Sequence, residues 1–173
     1  MGIRYYAYAF EPERTEQALA DPRSIISSDP LADAWGLPHG WRVGTTTDFR
    51  QSVPEADMLY LDKAWSDLQT ATGPGEDGSP ARPAFRMFEG RVRQTYEGWE
   101  AWVRALTPQD VREIVVDLDE LDDDAVRARL SGRARYEAEP GHEADYALSH
   151  LQRAREFVAG LVADGRGMAY LIG

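Results

Sequence analysis

Three side chains able to trade protons or grip a ligand recur at four-residue steps: His142, Tyr146 and His150. On an α-helix that spacing sets them along one edge, where two imidazoles and a phenol could line a pocket. A helix flank packed on a sheet, with its polar tips in water, accounts for the same spacing. A second concentration is Asp62-Lys63, just before Trp65. It joins a carboxylate, the only lysine of the chain and an indole; the alternative there is a surface pair between Lys63 and Asp67. These six residues, Asp62, Lys63, Trp65, His142, Tyr146 and His150, are the candidate ligand-binding set. No residue is assigned a catalytic or metal-binding role.

Other patterns fail on context. Gly73, Gly75 and Gly78 have dinucleotide-binding spacing, but that motif should follow a strand and open a helix. Here Pro74 interrupts it, and Glu76 and Asp77 stand where phosphate would sit. His142-Glu143 begins a zinc-protease pattern, yet the second histidine is replaced by Tyr146. The acidic run from Asp117 to Asp124 has Asp122 and Ala128 where a calcium loop needs Gly and Glu. With no cysteine, thiolate catalysis, disulfides and iron–sulfur clusters are excluded. No cofactor is expected.

The 173 residues suit one domain, 1–173. A net charge of −11 repels phosphate backbones and anionic lipid, so neither a nucleic acid nor a membrane is expected as partner. It suits a basic protein. The amino terminus lacks the apolar run of a signal peptide, and no stretch approaches ~20 apolar residues, which places the chain in the cytoplasm.

The elements that would position the candidates emerge from periodicity and punctuation. Residues 3–10 read as a first strand and 12–20 as a helix. Residues 24–51 are irregular, with Trp35 and Trp41 pinning them to the core. Ser52 and Glu55 have capping-box spacing, and Met58, Leu61, Trp65 and Leu68 form a helical stripe ending at Gly73. A flexible Gly/Pro-rich loop occupies 73–83. Residues 84–89 and 92–97 are candidate strands, and 102–106 a short strand. Thr107-Pro108-Gln109-Asp110 opens a helix. A short helix covers 123–130, ending at Gly132. The longest covers 140–164, with Ala147, Leu151, Ala154, Val158 and Leu161 as its stripe and Gly165 as its stop. Residues 168–172 read as a last strand. The fold class is α+β: one compact domain with a small mixed sheet that contains the N- and C-terminal strands. Three or more helices pack it, including the long C-terminal one.

Several of these segments together resemble the YfbM-like family of small bacterial proteins of unknown function. They are the aromatic strand after Met1-Gly2-Ile3, Leu61-Asp62-Lys63-Ala64-Trp65, Leu106-Thr107-Pro108 and the long last helix closing on Gly165. The Arg-rich, Lys-poor composition is similar to actinobacterial members. The resemblance covers nearly the whole chain and implies a compact α+β fold, but no reaction, cofactor or catalytic residue. The function expected first is a non-enzymatic binding or protein-interaction module, in one version antitoxin-like and directed at a basic partner, as a monomer or homodimer. The alternative is a small-molecule-binding protein or enzyme with its pocket between Asp62-Lys63-Trp65 and the His142/Tyr146/His150 edge.

Overall fold

The computed structural model describes residues 2–131 and 141–173. Strands β1 (Tyr5–Phe10), β2 (Met58–Asp62), β5 (Trp102–Leu106) and β6 (Gly167–Ile172) form one sheet in the order β2-β1-β6-β5. Every pairing is antiparallel, so the sheet is not mixed as the sequence suggests. The first and last strands are its two central members, and beyond them Arg4 and Gly173 exchange backbone hydrogen bonds of 3.0 Å. A separate hairpin, β3 (Arg93–Thr95) with β4 (Gly98–Glu100), stands outside the sheet with both strands exposed.

The sheet is buried on both faces, which is why β1 reads as a continuous apolar run. Tyr5, Ala7, Leu59, Leu61, Met168, Tyr170 and Ile172 face the main core. Over it lie α3 (Trp65–Thr72), α4 (Phe85–Phe88), α5 (Pro108–Glu120), α6 (Asp123–Leu130) and α7 (His142–Asp164). All five residues of the expected α7 stripe are buried there. On the opposite face Tyr6, Tyr8, Phe10 and Met58 meet α1 (Thr15–Ala20), α2 (Pro30–Trp35) and the turn carrying Ile25 and Ile26. Among the described residues no helix is long and apolar enough to cross a membrane.

The helix start at Thr107 is made as the sequence reads. Thr107 and Asp110 form a reciprocal capping box. Arg155 of α7 reaches the other end of that helix, donating to the carbonyls of Leu118 and Leu121 and pairing with Asp123. A cation there satisfies the free carbonyls of α5 and its dipole together.

Other expectations are corrected as well. Residues 52–57 are not helical: Ser52 instead donates from its backbone nitrogen (2.8 Å) and hydroxyl (3.1 Å) to the Asp33 carbonyl in α2. Residues 58–62 are a strand. Met58 and Tyr60 face one side and Leu59 and Leu61 the other, so both alternating sets are covered and the 3–4 spacing is a coincidence of a two-sided strand running into a helix. Residues 85–88 are a helical turn rather than a strand. Distant side chains satisfy its ends: Asp117 accepts from the Ala84 nitrogen, Tyr5 donates to the Met87 carbonyl, and Tyr170 donates to those of Arg86 and Glu89. Within 24–51, α2 forms on an Asp29 N-cap; Trp35 packs on the sheet, whereas Trp41 is exposed. Residues 93–95 are a strand of the exposed hairpin, and 102–106 is a strand as expected. Pro140 and Gly132 lie outside the described residues.

Leu151 is fully buried at the centre of the α7 stripe, whereas Val116 on α5 is 58% exposed. Leu151→Ala should lower the free energy of unfolding by about 3 kcal/mol, and Val116→Ala by no more than about 0.5 kcal/mol. Urea denaturation of the two variants checks this; equal losses would contradict the assigned core.

Candidate functional site

The site is built around one irregular step of β2. Tyr6 pairs with Tyr60 but Tyr5 pairs with Asp62, so Leu61 is an extra residue on the edge strand. Such a bulge bends the strand and re-aims the next side chain. Asp62 then takes a left-handed backbone, φ 45°, a conformation that costs a residue with a Cβ about 1–2 kcal/mol. Its carboxylate is thereby brought to Arg4, Tyr60 and Tyr146. Arg4 Nε donates to Oδ1 at 2.9 Å, the Tyr60 hydroxyl to Oδ1 at 2.9 Å, and the Tyr146 hydroxyl to Oδ2 at 2.8 Å.

This network lines a cleft of about 530 Å³ together with Ala34, Trp35, Phe49, Arg50, Gln51, Glu55, His150 and Arg153, a volume in the ordinary range for small-molecule sites. Its wall is aromatic. Phe49 meets Trp35 edge-on at 5.2 Å, and Arg4 stacks over the Trp35 ring at 5.2 Å. Phe49 has φ 53°. Phe49 and Asp62 are the two non-glycine residues with positive φ among the described residues, and both border this cleft. Backbone strain of this kind gathers at functional sites. Gly36 turns the chain from α2 toward Phe49 at φ 65°, and a Cβ there would sit 2.3 Å from the Arg50 carbonyl.

The cleft's charges differ from those of the surface. Arg4 and Asp62 neutralise each other. Arg50 and Arg153 remain, neither with a side-chain hydrogen bond or ion pair to any described residue, against the single exposed carboxylate of Glu55. A locally cationic hollow in a chain of net charge −11 is a departure from its average composition. The Gln51 amide nitrogen donates to the carbonyls of Val53 and Met58, while its oxygen is buried with no partner among the described residues. An orphan acceptor of that kind costs about 1–3 kcal/mol.

Burial drives the Asp62 carboxyl up, but the bonds from Tyr146 and Tyr60 and the charges of Arg4 and Lys63 outweigh it and hold the group below the usual carboxylate range. Burial and the Asp62 carboxylate push the Tyr60 phenol up to about 12, and Tyr146 is raised by the same two causes. The His150 imidazole is lowered, first by burial and then by Arg153, against the raising effects of the Tyr146 carbonyl and Asp62. His150 Nδ1 lies 2.9 Å from the Tyr146 carbonyl oxygen. A carbonyl only accepts, so Nδ1 carries the proton and Nε2 is left as an acceptor on a ring that lines the cleft.

Of the six candidates, the cleft gathers Asp62, Tyr146 and His150. Lys63 is exposed, its stem lying across Gly2, whereas Asp67 is buried rather than on the surface. Trp65 packs on the main core and donates from its indole nitrogen to the Ile3 carbonyl at 3.4 Å. His142 is exposed at the start of α7, about 12 Å along the axis from His150. Spacing in the sequence does not point to Arg4, Phe49, Arg50 or Tyr60 as site residues, and Trp35 reads there as a core pin. Arg153 carries one faint signal: it continues the Tyr146–His150 edge by three residues. Among the described residues no three histidine or acidic side chains stand close enough to hold a metal ion.

A larger hollow, about 1050 Å³, lies among α3, α4 and α6. Several of its polar groups are engaged, although Arg91 has no side-chain partner among the described residues and the Trp102 indole nitrogen is buried without one. Gln69 donates to the Phe88 and Gly90 carbonyls, Arg129 to those of Thr70, Gly73 and Pro74, and Glu89 pairs with Arg104. The smaller cleft, bordered by both non-glycine residues of positive φ and by an aromatic pair, is the stronger candidate.

No family model matches the chain, and no curated protein matches it either. Among solved structures, it is similar to the crystal structure of YfbM from Escherichia coli, a protein of unknown function. The TM-score is 0.56 and the sequence identity 19%, over 99% of this chain and 100% of that one. This chain has a YfbM-like fold. At that identity the likeness concerns the fold alone; the Asp62 network and the cleft are argued from this chain's own residues.

The histidines should pull stability in opposite directions with pH. The folded state disfavours protonated His150, so its contribution is present above the ordinary value of 6.5 and lost as pH falls through its lower folded value. His39 is raised, chiefly by its hydrogen bond to Asp33, so its contribution is present below 6.5 and lost as pH rises through its higher folded value. In urea denaturation between about pH 8 and about pH 5, His150→Gln should gain stability relative to the wild type as pH falls, and His39→Gln should lose it. A His150→Gln difference that does not change with pH would contradict the assigned environment.

Proposed function

We propose that this protein binds a small aromatic carboxylate in the cleft between α2, β2 and α7. One observation carries the reading: Arg50 and Arg153, neither with a side-chain partner among the described residues, line a hollow of ligand size together with the edge-on Trp35–Phe49 pair. The aromatic pair suits a flat apolar body and the arginines an anionic head. Arg4 is positioned by Asp62 and Tyr60 rather than free, so it shapes the wall and keeps its charge balanced. The strained backbones of Asp62 and Phe49 support the same place, and the ligand-sized volume suits a small molecule rather than a protein surface.

Benzoate is the test ligand. Titration by isothermal calorimetry should give a Kd on the order of 1 mM, about −4 kcal/mol, which is an ordinary yield for nine heavy atoms. Benzyl alcohol and benzylamine, which lack the negative head, should bind more weakly by about tenfold or more. Arg153→Gln should weaken benzoate about tenfold, the effect of losing one charge-assisted hydrogen bond. Equal binding of all three compounds, or none, would refute the reading.

A second reading, a docking module for a basic protein, is supported by the net charge of −11 and by the exposed hairpin, which presents Tyr96 and Trp99 to solvent. If it holds, a basic partner should be recovered in a stoichiometric complex that Tyr96→Ser with Trp99→Ser abolishes; recovery that is indifferent to both changes would count against it.

A further inference from the structure

We propose that the ligand of the cleft is a hydroxylated aromatic acid whose hydroxyl donates a hydrogen bond to His150 Nε2. The inference rests on the binding reading above and narrows its substrate class. The acceptors and donors around the wall are already committed, with few exceptions. Asp62 receives three hydrogen bonds on its two oxygens, from Arg4, Tyr60 and Tyr146. The Tyr60 hydroxyl donates to Asp62 and accepts from Arg4, and that of Tyr146 donates to Asp62. The Gln51 amide is fixed by the Val53 and Met58 carbonyls, with its oxygen closed off from the surface.

Among the half-buried acceptors of the wall His150 is the exception; the Glu55 carboxylate also has no partner among the described residues but is exposed to water. The His150 Nδ1 proton goes to the Tyr146 carbonyl within the same helix, which sets the tautomer, and Nε2 has no partner among the described residues. An acceptor without a donor in a half-buried setting is a selective feature: a ligand that supplies the donor gains a hydrogen bond, and one that does not leaves the nitrogen dry and unpaired. The titratable and charged groups that share the cleft with this ring come from several elements. They are Tyr146 and Arg153 from α7, Asp62 and Tyr60 from β2, Arg4 ahead of β1, and Arg50 and Glu55 from the α2–β2 connection. Arg153 and burial both act against protonating the imidazole, which keeps Nε2 an acceptor near neutral pH. A phenolic hydroxyl is the donor that fits, because the same molecule must present a flat ring to Trp35 and Phe49 and a carboxylate to Arg50 and Arg153. A phenol is also a stronger donor than an alkyl hydroxyl.

The experiment compares benzoate, 3-hydroxybenzoate, 4-hydroxybenzoate and their two methyl ethers by calorimetry near neutral pH, on the wild type and on His150→Phe. One of the two hydroxybenzoates should bind the wild type about tenfold more tightly than benzoate, as expected for one well-placed hydrogen bond. Its methyl ether keeps the oxygen and loses the proton, and should return to the benzoate affinity or below. His150→Phe should bring the ratio of hydroxybenzoate to benzoate affinity down to about one. The ether arm reads the same interaction on the wild-type protein if that variant does not fold. Equal affinities for benzoate and both hydroxybenzoates would overturn the His150 assignment while the binding reading stands. So would a preference that survives methylation or the His150→Phe change. Failure of benzoate and all its derivatives to bind would remove the binding reading itself, and this inference with it.

Discussion

The site depends on how one carboxylate is kept charged away from bulk water. Asp62 is only partly exposed, and an ion in that position is tolerated only if donors replace the water it gives up. Its donors come from three places: the residue preceding β1, its own strand and the second turn of α7. Each is sequestered in turn, Arg4 by stacking on Trp35 and Tyr60 by stacking on Tyr6 at 5.3 Å. The network therefore ties the edge of the sheet to the longest helix on one side and to α2 on the other. Removing the carboxylate would leave three donors without their acceptor, a greater loss than any one of those bonds is worth in isolation.

The bulge at Leu61 and the left-handed backbone at Asp62 are the geometric condition for that network. A regular β2 would continue its alternation and set Asp62 on the same face as Tyr60 and Met58, in line with the pleat. The extra residue breaks the alternation where the strand ends, so that Leu61 stays in the main core while Asp62 turns toward Tyr146. The local strain, about 1–2 kcal/mol, is of the same order as one charge-assisted hydrogen bond, and Asp62 makes three.

What could be read from the sequence divides along the same line between local and distant causes. The α7 stripe, the Thr107 capping box and the strand at 102–106 were legible because their signals lie within a few neighbouring residues. The four-residue step from Tyr146 to His150 likewise survived, since helical spacing alone sets those rings together, 4.4 Å apart. The strand nature of 58–62 was not legible. Its two faces are covered by different clusters, so every position is apolar or nearly so, and the period of two is lost. The helical turn at 85–88 was hidden for another reason: what holds its ends is Asp117, Tyr5 and Tyr170, up to 84 residues away. Arg4 belongs to the same class, being 58 residues from the carboxylate it serves. The YfbM-like resemblance reached the fold, which the match to the Escherichia coli structure also shows, but it assigned no role to any residue of the cleft.

The central pairing of β1 with β6 has a consequence for how the molecule comes into being. During synthesis, roughly 160 residues separate the emergence of Phe10 from that of Gly167. At about 5–20 residues per second that delay is on the order of ten to thirty seconds. Through that interval one edge of the tyrosine-rich first strand has no partner, and the eventual middle of the sheet is an open seam. Closing it joins the most distant parts of the chain, the kind of contact that makes folding slow. For this protein the ribosome-bound chain, rather than the finished fold, is the state most exposed to pairing with a stranger's strand.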